Sequence, residues 1–136
     1  GFFEDYLTNA LEEGEMVAAV ILPPQPESAV GHYEKFARVH GDYATLSVAV
    51  VLAMASGKCS HVRIALGAAG TTPVRVVAAE ARLIGSSLDA GAISEAAALL
   101  TAASDPVDDV RGSADYRLML VPRLLTRALA AAGGAP

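Results

Sequence analysis

The 136-residue sequence has no tryptophan, only three phenylalanines and four tyrosines, and a single cysteine, Cys59. A chain so poor in aromatic residues must build its core from aliphatic and alanine side chains. One cysteine excludes an internal disulfide and is typical of the reducing cytoplasm, where we expect the protein to be located. No apolar run approaches the ~18 residues that a membrane span requires, so we predict no transmembrane helix.

Basic residues are also scarce. The chain has 10 lysines and arginines against 15 acidic residues, which gives a net charge of −5. Nucleic acids and anionic membranes both require a basic surface, so we exclude both as partners. Hydrophobic residues, by contrast, make up 53% of the chain, and its mean hydropathy is +0.41. These values indicate one folded domain with a sizeable core and no extensive disorder.

The first half of the chain has the periodicity of β-strands. Residues 15–22 form a short apolar run that Pro23 and Pro24 end, which predicts a strand. Residues 46–55 alternate between large and small apolar side chains, and residues 61–67 alternate again after a turn at 56–58, which predicts a β-hairpin. Together these segments predict a small antiparallel sheet of three or four strands.

After residue 70 the apolar spacing becomes helical. Thr72 and Pro73 predict an N-cap followed by proline at the first helical position, and Gly85 would end this first helix. Its predicted buried face follows the spacing i, i+3, i+4 and i+7 and consists of Val74, Val77, Ala78 and Ala81.

Two further helices are predicted, at about residues 92–103 and from Ser113 to Gly133-Gly134. Pro122 lies inside the last of them and predicts a kink or a break, because proline cannot donate to the carbonyl of Leu118. Strands followed by helices indicate an α+β fold: a small antiparallel sheet packed on a three-helix cluster.

Patterns for metal, phosphate or nucleophilic chemistry are weak. Cys59 and His61 are two apart and would share one face of a strand, but a zinc site requires three or four ligands, so we predict no metal site. The sequence "GAAG" at residues 67–70 matches neither phosphate-binding glycine motif and is predicted to be a turn between strand and helix. No nucleophile motif is present, and we predict no catalytic residue.

The stretch "DPVDDVRGSADYRLML", residues 105–120, concentrates charge at the start of the third helix. Ser113 is a good N-cap, and Asp115 complements the helix dipole in the first turn. Arg111 and Arg117 can pair with Asp108, Asp109 or exposed carbonyls; these residues are therefore predicted to anchor the helix.

Three longer stretches carry a family resemblance. "YEKFARVHGDYATLSVAVVL", "VRIALGAAGTTPVRVVAAEARLIG" and "DPVDDVRGSADYRLMLVPRLLTRAL" together resemble the C-terminal domain of the flavoprotein (medium) subunit of molybdenum hydroxylases. These enzymes are carbon monoxide dehydrogenase-like, with the xanthine dehydrogenase flavin region as a more distant relative. The opening "FFEDYLTNALEEGEMVAAVILP" resembles the segment that leads from the family's FAD-binding core into this domain.

The resemblance implies both a fold and a role. It implies the small antiparallel sheet packed on a three-helix cluster, and FAD as the cofactor of the intact subunit. In the family, electrons leave a molybdenum cofactor, cross two iron–sulfur clusters, reach the FAD of this subunit and pass to an acceptor. The implied partners are the N-terminal FAD-binding region of the same subunit and the molybdenum and iron–sulfur subunits.

The resemblance also implies site residues. The flavin contacts of the domain correspond to Val17, Glu34 and Lys35. A further set that matches the family pattern is expected to shape the domain interface: Tyr33, Arg38, Asp42 and Tyr43.

The chain contains no counterpart of the family's N-terminal FAD-binding half. The glycine-rich loops that hold the FAD pyrophosphate are absent, and the chain begins at Gly1 rather than Met. We therefore expect a piece of a longer polypeptide, with residues 1–14 as the connecting segment from the FAD-binding region and residues 15–136 as the C-terminal α+β domain. The isolated chain is expected to bind no FAD. The alternative is a free-standing, non-catalytic α+β interaction module.

Overall fold

The computed structural model describes residues 1–133, which form two small antiparallel sheets and three helices, as the α+β prediction requires. A hairpin near the N-terminus precedes a three-stranded sheet whose strands lie in chain order. The elements are β1 (Phe3–Asp5), β2 (Thr8–Asn9), β3 (Val30–Phe36), β4 (Leu46–Ala55), β5 (Lys58–Gly67), α1 (Val77–Leu83), α2 (Ala90–Ala102) and α3 (Ala114–Ala132).

The predicted hairpin is confirmed as β4 and β5. Ser56 and Gly57 form its turn, both with positive φ (50° and 74°), as a two-residue hairpin turn requires. A bulge between Ala53 and Met54 shifts the alternation at the turn end, and this brings Cys59 into the core. The large side chains of both strands form the buried face: Leu46, Val48, Val50, Leu52, Val62, Ile64 and Leu66.

The strand predicted at residues 15–22 is wrong. Those residues form no strand, and the side chains of Met16, Ile21 and Leu22 are 82%, 91% and 82% exposed. The third strand of the sheet is β3, which pairs with β4 along its whole length. Because β3 is an edge strand and is half exposed, its sequence "VGHYEKF" lacks the apolar alternation that reveals a strand.

Helix α1 begins four residues later than predicted, at Val77. The reason is that Val74 exchanges both backbone hydrogen bonds with Leu66, at 3.0 and 2.8 Å, and so extends the sheet edge instead of starting a helix. The predicted buried face is therefore wrong, and Val77 is 66% exposed. The observed buried face consists of Ala79, Glu80 and Leu83. The predicted end is confirmed, since Gly85 has φ +80° just beyond the helix.

Helices α2 and α3 match their predictions. The carboxylate of Asp89 caps α2, and the hydroxyl of Ser113 caps α3 by accepting from the amide of Tyr116 at 3.2 Å. The predicted break at Pro122 is wrong, because α3 continues without interruption through this residue. Pro122 lies on the exposed side of α3, and buried residues on either side of it, from Leu120 to Ala132, hold the helix against the sheet. The predicted end at Gly134 lies outside the described residues.

Helix α3 packs on β3 and β4 and covers one face of the sheet, while α1 and α2 pack beside it. We call the opposite surface of the sheet the open face. Residues paired across antiparallel strands point to the same side, so the register defines this face. Toward the start of β4 it carries two large side chains on β3 and small ones on β4 and β5: Tyr33, Lys35, Ser47, Ala49, Ala65 and Gly67. Toward the β4–β5 turn it carries Val51, His61 and Arg63. Within residues 1–133, no helix has the length and apolarity to cross a membrane.

Candidate functional site

A cleft of about 910 Å³ lies between the β1–β2 hairpin and one end of the open face. Its volume is within the roughly 300–1,000 Å³ typical of small-molecule sites. Two loops complete its rim: the β3–β4 loop (residues 37–45) and the α2–α3 loop (residues 103–113). The lining residues used below are Tyr6, Tyr33, Tyr43, Ser47, Gly67, Ala68, Asp109, Arg111 and Arg117.

The floor of the cleft is flat because its side chains are small. Ser47 and Gly67 are directly paired across β4 and β5. A Cβ atom added to Gly67 would stand 2.5 Å from the Ser47 hydroxyl, so this position accepts only glycine without movement. The predicted turn follows at residues 67–70, but its positive φ belongs to Ala68 (60°) and not to a glycine.

Aromatic rings form the walls of the cleft. Tyr6, Tyr33 and Tyr43 contribute three of the four tyrosines of the chain, and they are 67%, 60% and 79% exposed. Exposed tyrosines beside a flat floor suit a planar ring system, which can stack on them while their hydroxyls remain hydrated. The sequence assigned Tyr33 and Tyr43 to a domain interface, and the structure places both at this cleft.

Arg117 lies at the base of the cleft and is only 4% exposed. Its Nη1 donates to the carbonyl of Thr45 at 2.6 Å and to that of Ala68 at 3.4 Å, and its Nη2 pairs with Asp109. Its Nε is buried and finds no partner within residues 1–133. The predicted pairing with Asp109 is confirmed. The carbonyls that Arg117 binds lie outside residues 105–109, where they were expected, and they tie the start of α3 to the ends of β4 and β5.

Arg111 joins the two loops at the rim. Its Nε donates to the Asp42 carboxylate at 3.2 Å, and its Nη1 lies 3.6 Å from the Asp109 carboxylate. Its guanidinium carbon stands 5.1 Å from the centre of the Tyr43 ring, within cation–π range. The sequence predicted the Asp109 contact and missed Asp42, because 69 residues separate Asp42 from Arg111 and no local pattern reports such a distance.

Both carboxylates of this cluster are more acidic than usual. Burial raises the pKa of Asp42, but hydrogen bonds from Arg111 and from the Tyr43 amide outweigh it and hold that pKa below its ordinary value. The pKa of Asp109 is lowered by the hydrogen bond from the Arg111 amide and by the Arg117 guanidinium, against a smaller effect of burial. Both groups are therefore ionised at neutral pH.

The structure does not bring the three predicted flavin contacts together. Lys35 lies on the open face opposite Ser47, and its Nζ donates to the carbonyls of His40 and Asp42 at 2.9 and 3.0 Å. Glu34 points to the α3 side, where its carboxylate lies 2.6 Å from Arg127 Nη2. Val17 lies in the irregular segment before β3 and is 53% exposed. None of the three lines the cleft.

Cys59 and His61 do not share a face, contrary to the prediction. The bulge in the hairpin buries Cys59, and burial raises the pKa of its thiol. The His61 ring is partly exposed, and its Nε2 lies 3.1 Å from the Gln25 side-chain oxygen. In the described part of the chain, no group of three or more His, Cys, Asp or Glu side chains could hold a metal ion.

Comparison with known proteins identifies the fold and the family. The family profile of the CO dehydrogenase flavoprotein C-terminal domain matches residues 31–132. The chain belongs to this family. It is 38% identical over 128 residues to the carbon monoxide dehydrogenase medium chain of Afipia carboxidovorans, covering 94% of this chain and 44% of that protein. It is 30% identical over 131 residues to the xanthine dehydrogenase FAD-binding subunit of Escherichia coli, covering 92% and 45%.

Solved structures agree with the sequence match. Reconstituted CO dehydrogenase from Oligotropha carboxidovorans superposes with a TM-score of 0.92 at 36% identity, over 99% of this chain and 47% of that one. The resemblance and fold predicted from the sequence are thus confirmed. The chain spans less than half the length of the curated relatives that it matches.

Proposed function

We propose that this chain is the C-terminal domain of a FAD-containing electron-transfer subunit of a molybdenum hydroxylase. The proposal is carried by the match of nearly the whole chain to medium chains and FAD-binding subunits of this enzyme class. In it, residues 1–14 connect to a FAD-binding region, and residues 15–136 form the domain that walls the flavin. Bound FAD would supply the electron transfer between the redox centres of the enzyme and its acceptor.

The cleft fits the ring system of a flavin better than its phosphates. Its flat floor at Ser47 and Gly67 and its tyrosine walls suit a planar ring. A dinucleotide pyrophosphate needs successive backbone amides at a glycine-rich turn, and the turn at residues 67–70 does not have that motif. The domain would therefore contribute one wall, and the phosphates would bind elsewhere in the subunit.

Within this wall, Lys35 is the best placed of the three predicted contacts. It lies on the open face opposite Ser47, which lines the cleft, and its ammonium group gives two donors to loop carbonyls and keeps a third for a ligand. Val17 would approach the ring from the irregular N-terminal segment. Glu34 would act at the polar edge of the ring, although in this structure its carboxylate is held by Arg127 on the opposite face.

An exposed apolar segment supports a partner region on the N-terminal side. Met16, Val20, Ile21 and Leu22 are each at least 79% exposed and follow one another closely. Such a continuous apolar surface marks an interaction site in a soluble domain. We assign its coverage to the FAD-binding region of the same subunit, and contacts elsewhere to the molybdenum and iron–sulfur subunits.

The test is expression of the complete open reading frame that contains this chain. We expect a polypeptide about twice as long that is yellow after purification and releases FAD on denaturation. Replacing Ile21 and Leu22 together by aspartate should reduce the FAD content per folded subunit, because it should loosen the region that covers them. Aspartate at Val77 and Ile84, two exposed apolar positions at the ends of α1 that do not line the cleft, is the matched control and should leave the FAD content unchanged.

The alternative interaction module makes the opposite prediction. A start codon directly before Gly1, together with a purified product that holds no flavin even when co-expressed with its neighbouring genes, would favour that module and contradict the proposal.

A further inference from the structure

The β3–β4 loop, residues 37–45, forms one side of the cleft and is largely exposed except for its last residue, Thr45, which is buried. Val39 and Tyr43 are 65% and 79% exposed, and Arg38, which pairs with Asp42, belongs to the same loop. Contacts inside a loop do not fix its position relative to the rest of the domain. What holds this loop must therefore come from outside it.

Arg111 supplies that contact from the α2–α3 loop. Its Nε donates to Asp42, its guanidinium faces the Tyr43 ring, and its carbonyl accepts from the Thr45 hydroxyl at 3.3 Å. A guanidinium is planar and rigid, so it fixes a carboxylate and a ring together in a way that a flexible ammonium cannot. Asp42 and Tyr43 are thus held by one residue of the other loop, whereas Thr45 is also held by Arg117 and by the Phe36 carbonyl.

The same loop holds Lys35. The two carbonyls that accept from Lys35 Nζ belong to His40 and Asp42, and Asp42 is also the residue that Arg111 binds. A movement of the loop away from Arg111 would carry the acceptors of the ammonium group with it. Arg111 therefore acts on Lys35 through Asp42, without contacting it.

We propose that Arg111 is a positioning residue: it holds the β3–β4 loop so that Tyr43 stands at the cleft, and Lys35 beside it on the open face opposite Ser47, in the arrangement that a planar ligand meets. This inference rests on the proposed function for the identity of that ligand, the flavin ring. The position of the loop does not depend on the identity of the ligand, so the loop position and the flavin contact can be tested in separate experiments.

The first experiment uses NMR of the 136-residue chain. Arg111→Met should move or broaden the amide signals of residues 37–45 and shift the Tyr43 ring signals toward those of an unstructured tyrosine, while the signals of β4 and β5 stay in place. Arg111→Lys should recover part of the amide pattern, because it keeps the charge beside Asp42, but not the Tyr43 ring shift. Arg82→Met, on the exposed side of α1, is the matched control and should change neither.

The second experiment uses the full open reading frame with its flavin. Arg111→Met should shift the flavin visible circular dichroism and its midpoint potential relative to wild type, whereas Arg82→Met should not. Unchanged loop and Tyr43 signals in Arg111→Met would overturn the inference. A displaced loop with an unaltered flavin spectrum and potential would overturn it too, because Arg111 would then be merely structural. A wild-type subunit without flavin would instead overturn the proposed function, and the loop signals would still decide what Arg111 holds.

Discussion

Arg117 and Glu80 show how single buried charges join distant parts of this small domain. Arg117 is 4% exposed and bonds to backbone carbonyls at the ends of β4 and β5. Glu80 is 3% exposed, and its carboxylate accepts from the Ile64 amide at 3.0 Å and from Arg75 at 2.8 and 3.0 Å. Each fixes a helix to the sheet by ionic hydrogen bonds, which are stronger than neutral ones.

Arg117→Met should lower the free energy of unfolding by about 3 kcal/mol, because it removes the donor to Thr45 and leaves the Asp109 carboxylate without its buried partner. Thermal unfolding should show a Tm lower by roughly 10 °C. The exposed Arg82→Met should change stability by less than about 0.5 kcal/mol. In the intact flavoprotein, we expect Arg117→Met to leave the flavin content per folded subunit unchanged, so flavin loss at full stability would refute a structural role.

Glu80→Gln should make stability less dependent on acid. Burial raises the pKa of Glu80, but Arg75 and the Ile64 amide outweigh it, so the folded-state pKa lies below the usual 4.5. A carboxyl group whose pKa is lower in the folded than in the unfolded state stabilises the fold at pH values above its unfolded-state pKa. This stabilisation is lost as pH falls through the folded-state pKa. Urea unfolding should therefore show a loss of about 2 kcal/mol at neutral pH in Glu80→Gln and a shallower decline below about pH 4.5. Parallel pH profiles for both proteins would contradict this assignment.

At the scale of elements, β5 and α3 each include one residue that regular elements disfavour. Gly67 is the last residue of β5, where its neighbour Ser47 occupies the space of a Cβ atom. Pro122 stands inside α3 because buried residues before and after it hold the helix to the sheet. In both cases packing between elements outweighs the local preference.

Gly67→Ala should destabilise the domain by about 2 kcal/mol, since the added methyl group overlaps the Ser47 hydroxyl. The Cβ of Ser47 is 3.9 Å away, which is an ordinary contact, so Ser47→Ala should recover most of the loss in the double variant. Chemical unfolding of the two single variants and the double variant measures this coupling. Additive losses would show that the hydroxyl is not the obstacle.

Pro122→Ala should stabilise α3. Alanine restores the amide that proline lacks and removes the ring clash, effects worth up to about 3 kcal/mol in a helix interior. Because α3 already accommodates the proline, we expect a gain of about 1–2 kcal/mol in unfolding free energy. Pro24→Ala, in the exposed irregular segment, is the control and should be nearly neutral. A loss of stability in Pro122→Ala would mean that the proline fills a required place in the groove between α2 and α3, which it lines.

At the scale of the whole molecule, the chain provides one wall for a flavin ring but no glycine-rich turn that could bind the FAD pyrophosphate. The cleft has room for a ring, but most of the N-terminal segment is exposed and the net charge is −5, which opposes an anionic ligand. A single wall contact contributes little affinity by itself.

The isolated 136-residue chain should therefore bind FAD more weakly than ~1 mM, equivalent to less than ~4 kcal/mol. Titration with FAD, followed by flavin fluorescence, gives the measurement. Lumiflavin, which lacks the phosphates, should bind no more weakly than FAD if only the ring is recognised. Saturable micromolar FAD binding would show that the chain holds its own phosphate site.

The sequence by itself determined the α+β class, the β4–β5 hairpin, the N-cap of α3 and the family, because each follows from local periodicity, turn chemistry or contiguous motifs. Only the tertiary structure decided that β3 and not residues 15–22 completes the sheet, and that α1 starts at Val77. Strand pairing is a choice between distant segments, and a half-exposed edge strand carries no apolar pattern to announce it. The sequence did not predict the Arg111–Asp42 contact for the same reason, because only folding brings these two residues together.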